Sequence, residues 1–123
     1  MKFQLDTALG GNQLTRVEPG CVWVNGQAHR QSVLVPWIGS VMPWPVASFE
    51  ALRSEHFEGL LEHAPELVLL GTGARLQHVQ PRLTQSLMRA GIGLDAMDVA
   101  AACRTYSVLT SEGRKVLAAL ILG

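Results

Sequence analysis

A net charge, a long apolar run and a cysteine framework are all missing from this 123-residue chain, and each absence narrows what it can be. Ten Lys and Arg residues balance ten Asp and Glu residues. Such a balance leaves no overall basic footprint for nucleic acid or an anionic membrane. The longest apolar run, VLAALIL from Val116 to Leu122, falls far short of the roughly 20 residues a spanning helix needs. The opening MKFQLDTALGG has neither the apolar stretch nor the small-residue cleavage site of a secretory leader. The expectation is a cytoplasmic protein without a membrane span. Cys21 and Cys103 are the only cysteines, far apart and outside any CxxC, so free buried thiols are expected rather than a disulfide or a zinc site. His29, His56, His63 and His78 form no HxxxH or HExxH pair, and no metal or cofactor is expected. No GxSxG elbow is present.

What the chain does have is apolar material, about half its residues, enough for one core and one domain over residues 1–123. In CVWVNGQAHRQSVLV, two Val-rich runs flank Asn25-Gly26, the strongest short hairpin signal. Strands are expected near 21–24 and 27–35, with an earlier one near 12–18 ending at Pro19-Gly20. A helix capped by Ser54 carries Phe57, Leu60, Leu61 and Ala64 on one face and stops at Pro65. Glu66 to Gly71 reads as a strand buried on both faces. A helix from Pro81 to Gly91, with Leu83, Leu87 and Ala90 inward, leads to a strand near 92–97. Asp98 then caps a helix to about Leu109, whose stripe Val99, Ala102, Cys103 and Tyr106 faces the core. A last apolar strand runs from Arg114 to Leu122. This alternation predicts an α/β fold, with a central mixed β-sheet, packed helices and an N-terminal β-hairpin region.

Four places could carry function. Gly71-Thr72-Gly73 ends a strand and could offer backbone N–H groups to an anion. It lacks the third glycine of a dinucleotide loop, because position 76 is Leu, and no Gly-Lys-Ser/Thr follows. A tight turn that needs glycine is the plainer reading. Asp95 and Asp98 suggest acid–base work, but a capping carboxylate accepts N–H bonds that favour ionisation, which suits Asp98 poorly as a general acid. Arg104 could grip a carboxylate or phosphate with its planar fork, or bond Asp95, Glu112 or the carbonyls at the helix C-terminus. Finally, VPWIGSVMPWPV holds Trp37, Trp44 and three prolines inside the uncharged stretch from Gln31 to Phe49. It is either a loop folded over a sheet edge or an aromatic surface for a partner.

PELVLLGTG (65–73), Pro81 and GIGLDAMDVAAACRTYSVLTSEGRKVLAALI (91–121), together with VNGQAHRQSVLV (24–35), resemble a family of small domains. It includes the mitochondrial complex I assembly factor 3 type, the adipogenesis-associated domain proteins and uncharacterised bacterial members. The likeness covers about residues 15–121. It implies a compact α/β domain without established enzyme activity, and its mitochondrial members act through protein contacts. Where the family pattern often has Thr after Met-Asp and Asn after Arg-Thr-Tyr, this chain has Val99 and Ser107, so two polar groups are missing. Gly71, Thr72, Gly73, Asp98, Arg104, Thr105 and Tyr106 match, and the resemblance places them around one cleft. The function expected is a non-catalytic protein-interaction or assembly-factor-like domain with a protein partner. The competing reading is a small-ligand or anion-binding domain, with or without enzyme activity, that uses the GTG turn and Arg104.

Overall fold

The computed structural model describes residues 11–122, so the reading of residues 1–10 as leaderless lies outside it. Among the described residues, eight strands form two sheets. Strands β1 (Leu14–Glu18), β2 (Cys21–Val24) and β3 (Gln27–His29) make an antiparallel three-stranded sheet in the order β1-β2-β3. Asn25 (φ 53°) and Gly26 (φ 83°) close the β2–β3 hairpin, both in the left-handed region that this two-residue turn demands.

The second sheet contains β4 (Val33–Pro36), β5 (Met42–Pro43), β6 (Leu67–Gly71), β7 (Gly93–Met97) and β8 (Val116–Leu120), in the order β5-β4-β8-β6-β7. It is mixed: β4 pairs antiparallel with β5 and β8, while β6 runs parallel to both β8 and β7. The expected strand 27–35 is therefore two strands in two different sheets. The polar stretch Arg30-Gln31-Ser32 separates them, because apolar pairing resumes only at Val33.

Helices cover both faces. On one face lie α1 (Ser54–Glu58), continued by a 3-10 stretch Gly59–His63, and α2 (Gln85–Arg89), preceded by a 3-10 turn Pro81–Thr84. On the other face α3 (Val99–Ser111) and the three-stranded sheet pack together. The register of the strands sorts the core into two halves. Val33, Val35, Leu69, Val116, Ala118 and Leu120 face α3, while Leu34, Val68, Leu70, Leu117 and Ala119 face Phe57, Leu60 and Leu87. Every residue of β8 is buried, as a central strand covered on both faces requires.

Three boundary expectations change. Ser54 is the first residue of α1 rather than its cap; Arg53 precedes it, and its backbone N–H donates to His56 Nδ1 at 2.9 Å. Ala64, expected inward, is exposed with φ 49°, because the 3-10 turn ends there before the buried Pro65. Ala90 is also exposed, since α2 has already ended at Arg89.

Candidate functional site

The expected cleft lies where β6 ends and α3 begins. Gly71 is there for packing: a Cβ on it would meet Leu120 Cδ2 and Val99 Cγ2 at 3.0 Å and Val99 Cα at 3.2 Å. Its absence lets the first turn of α3 approach the strand. Thr72 is buried and hydrogen-bonded inward. Its N–H donates to the Met97 carbonyl at 2.8 Å, and its hydroxyl donates to the Arg75 carbonyl at 2.7 Å while accepting from the Gln77 N–H at 3.0 Å. The Gly73 carbonyl accepts from the Val99 N–H at 2.9 Å. The Thr72 N–H and hydroxyl and the Gly73 carbonyl thus hold the 72–77 loop and tie β6 to α3. That is the behaviour of a structural turn.

Asp98 sits at the N-cap of α3, where Oδ1 accepts from the Ala101 N–H at 2.8 Å. Beside it, a cleft of about 290 Å³ is walled by Val17, Glu18, Gly73, Val99 and Leu122. Thr105 bonds back to the Ala101 carbonyl at 2.9 Å and lies 3.5 Å from Met97 Sδ. Arg104 and Asp95 do not join this cluster. Both are exposed, and among the described residues Arg104 forms no ion pair with Asp95 or Glu112. Cys103, one position earlier, is buried, and burial pushes its thiol up to about 12 despite the opposing charge of Arg104. Among the described residues no group of three or more His, Cys, Asp or Glu side chains is placed to hold a metal ion.

The two tryptophans part company. Trp44 is only 4% exposed and belongs to the core, edge-on to Phe57 with ring centres 6.2 Å apart. Its expected place on a partner surface is therefore corrected: the ring is buried against Phe57, and the Trp44 backbone N–H donates to the Ser32 carbonyl at 2.9 Å, which holds the residue against the sheet edge. Trp37 is half-buried, and its neighbour Ile38 is 47% exposed. Both line a groove of about 630 Å³, closed on the other side by Ser107, Thr110 and Ser111 of α3.

The floor of this groove is a polar junction that sequence reasoning missed. Tyr106, fully buried, lies with its hydroxyl 2.9 Å from the carbonyls of both Asn12 and Pro36. Asn12 Nδ2 donates to Pro36 O at 2.9 Å and Gly39 O at 2.8 Å, and its Oδ1 accepts from Asn25 Nδ2 at 2.9 Å. The hairpin signal Asn25-Gly26 was legible; that Asn25 also reaches Asn12 was not, because the link depends on tertiary placement.

Several known proteins are similar to this chain. The bovine NADH dehydrogenase [ubiquinone] 1 alpha subcomplex assembly factor 3 is 37% identical over 84 residues, which is 67% of this chain and 46% of the relative. This chain thus spans about half the length of that relative. An uncharacterised protein of Rhodobacter capsulatus is 36% identical over 104 residues, covering 84% of this chain and 78% of its own. Among solved structures, a Bordetella parapertussis protein superposes with a TM-score of 0.88 at 33% identity, covering 93% of this chain and 98% of that one. A Bartonella henselae chain described as an outer membrane protein gives a TM-score of 0.80 at 27% identity, covering 92% and 96%. Residues 14–121 match the model described as "Protein of unknown function (DUF498/DUF598)", and with nearly the whole described fold inside that match the chain belongs to this family.

Proposed function

We propose that this chain is a non-catalytic protein-interaction domain of the assembly-factor kind, and that its partner surface is the groove beside Trp37 and Ile38. The observation that supports this reading is the exposed Ile38 at the rim of an open groove whose floor is already hydrogen-bonded. A partner there gains apolar burial and aromatic contact without leaving polar groups unpaired. The assembly-factor name of the bovine relative agrees with a protein as the partner class. The compartment we propose is the cytoplasm. Among the described residues no helix is long and apolar enough to cross a membrane. The description of the Bartonella neighbour makes fractionation of the native host the direct check.

The test is affinity capture from the native host with wild type, Ile38→Asp and Trp37→Ala. The expected result is a defined protein recovered by wild type and lost with Ile38→Asp, at unchanged thermal stability. A partner retained equally by both variants would remove this groove from the account.

A further inference from the structure

We propose that a second copy of this chain docks on the layer formed by α1 and α2, through a self-complementary arrangement of charge. The balanced net charge conceals a segregation. Residues 50–62 contain four glutamates, Glu50, Glu55, Glu58 and Glu62, against one arginine, Arg53, and one histidine, His56, while Glu66 is paired with Arg114 at 3.1 Å. Residues 67–94 contain no Asp or Glu at all, and carry Arg75, His78, Arg82 and Arg89. The fold lays these two segments side by side: α1 packs against α2 and against the 3-10 turn before it, on one face of the five-stranded sheet.

The opposite charges lie next to each other without neutralising each other. Glu55, Glu58, Glu62, Arg82 and Arg89 are all exposed, and no ion pair joins the two segments among the described residues. Arg82 Nε instead donates to Gln80 Oε1 at 2.8 Å, and Arg89 Nη2 reaches Gln85 Oε1 at 3.4 Å, both neutral acceptors. Met88, next to Arg89 on α2, is 63% exposed. Of the large hydrophobics exposed in the described residues it is the most exposed.

An acidic ridge beside a basic ridge matches its own copy under a two-fold axis that runs between the ridges in the plane of contact. That operation lays each acidic ridge on the partner's basic one, and a two-fold contact is the commonest form of association between identical chains. Complementary potentials of this kind steer encounter and fix register. An anionic membrane or a nucleic acid would suit the basic ridge but would be pressed against Glu55, Glu58 and Glu62. The second copy is favoured because it satisfies both ridges at once. This face lies on the opposite side of the sheet from the Trp37–Ile38 groove, so the two readings fail separately.

Sedimentation velocity tests it, at about 0.01 M and about 1 M salt, where the screening length falls from roughly 30 Å to roughly 3 Å. The expected result is a dimer at low salt that dissociates at high salt. Arg82→Glu with Arg89→Glu, and separately Glu55→Lys with Glu58→Lys and Glu62→Lys, should each weaken dimerisation by about tenfold or more. Mixing the two reversed variants should restore a one-to-one dimer, which simple misfolding could not do; circular dichroism confirms each fold. A monomer at low salt overturns the proposal. So does a dimer indifferent to both salt and charge reversal. Binding of the monomer to vesicles of anionic phospholipid, without self-association, would hand the face to a membrane and overturn it too.

Discussion

The Tyr106 hydroxyl lies 2.9 Å from the carbonyl oxygen of Asn12, a contact between residues 94 positions apart. It joins the middle of α3 to the segment that leads into β1, and the Pro36 carbonyl at 2.9 Å brings in the end of β4. Three layers of the structure meet at one oxygen. Because the site is buried, an acceptor left without its donor cannot turn to water. Tyr106→Phe should therefore cost about 1–3 kcal/mol, the usual penalty for stranding a buried polar group. Urea denaturation of the variant measures this. Unchanged stability would mean that the Asn12 carbonyl finds another donor, and that the hydroxyl is not what joins the layers.

Gly71 tests how closely α3 approaches the sheet. Gly71→Ala places a methyl group 3.0 Å from Leu120 Cδ2 and 3.2 Å from Val99 Cα. A leucine tip can rotate away, but a helix backbone cannot. Overpacking of this kind costs about 1–3 kcal/mol. Ala102→Leu, at a fully buried position on the same helix, should cost a similar amount. Thermal denaturation of both variants is the check, and two neutral results would contradict the close contact of α3 with β6.

Asp98 separates a structural carboxylate from a chemical one. As the N-cap of α3 it accepts from the Ala101 N–H at 2.8 Å. Asp98→Ala should lose about 1 kcal/mol, and Asp98→Asn should lose little, because Asn caps nearly as well. Denaturant midpoints of the two variants decide it. If Asn is as damaging as Ala, the negative charge matters beyond the cap.

Much of the fold could be read in the sequence where burial is enforced on both sides. The runs Leu67–Gly71 and Val116–Leu120 are continuous apolar strands because helices cover both faces of the sheet. The α3 stripe of Val99, Ala102, Cys103 and Tyr106 is buried as its spacing requires. Legibility failed where a local pattern permits two tertiary outcomes. Gln27–His29 and Val33–Pro36 are both locally strand-like, and although the polar Arg30-Gln31-Ser32 parts them, only long-range pairing sends β3 to one sheet and β4 to the other. The Pro-Trp segment is apolar whether it faces a partner or the core, and contacts with Phe57 place Trp44 in the core. The Asn12–Asn25–Tyr106 junction was invisible because none of its residues announces its partner.

The two tryptophans yield a contrast that neither alone provides. Trp44→Ala removes a large buried side chain from contact with Phe57 and should cost about 3–5 kcal/mol of stability. Trp37→Ala trims a half-buried rim residue and should cost less. Paired denaturation curves check the order. Equal losses would place Trp37 in the core as well, and would make its loss of partner binding uninterpretable.

Cys103 gives the stability a definite dependence on alkaline pH. Burial raises its thiol from the ordinary 9.0 to about 12 in the folded chain. A raised folded value means that the neutral thiol belongs to the native state and that the unfolded chain ionises first. The associated stability is present in full below about pH 9 and is lost progressively as the pH climbs towards about 12. Burial raises the Tyr106 phenol in the same direction, so it adds to the loss at higher pH. Cys103→Ala removes one titrating group, and over this window the decline should be shallower by up to about 1.4 kcal/mol per pH unit. Urea unfolding of wild type and variant across the alkaline range reads the slope directly. Parallel curves would show that the thiol ionises as readily in the folded chain as in the unfolded one, and that Cys103 is reached by solvent.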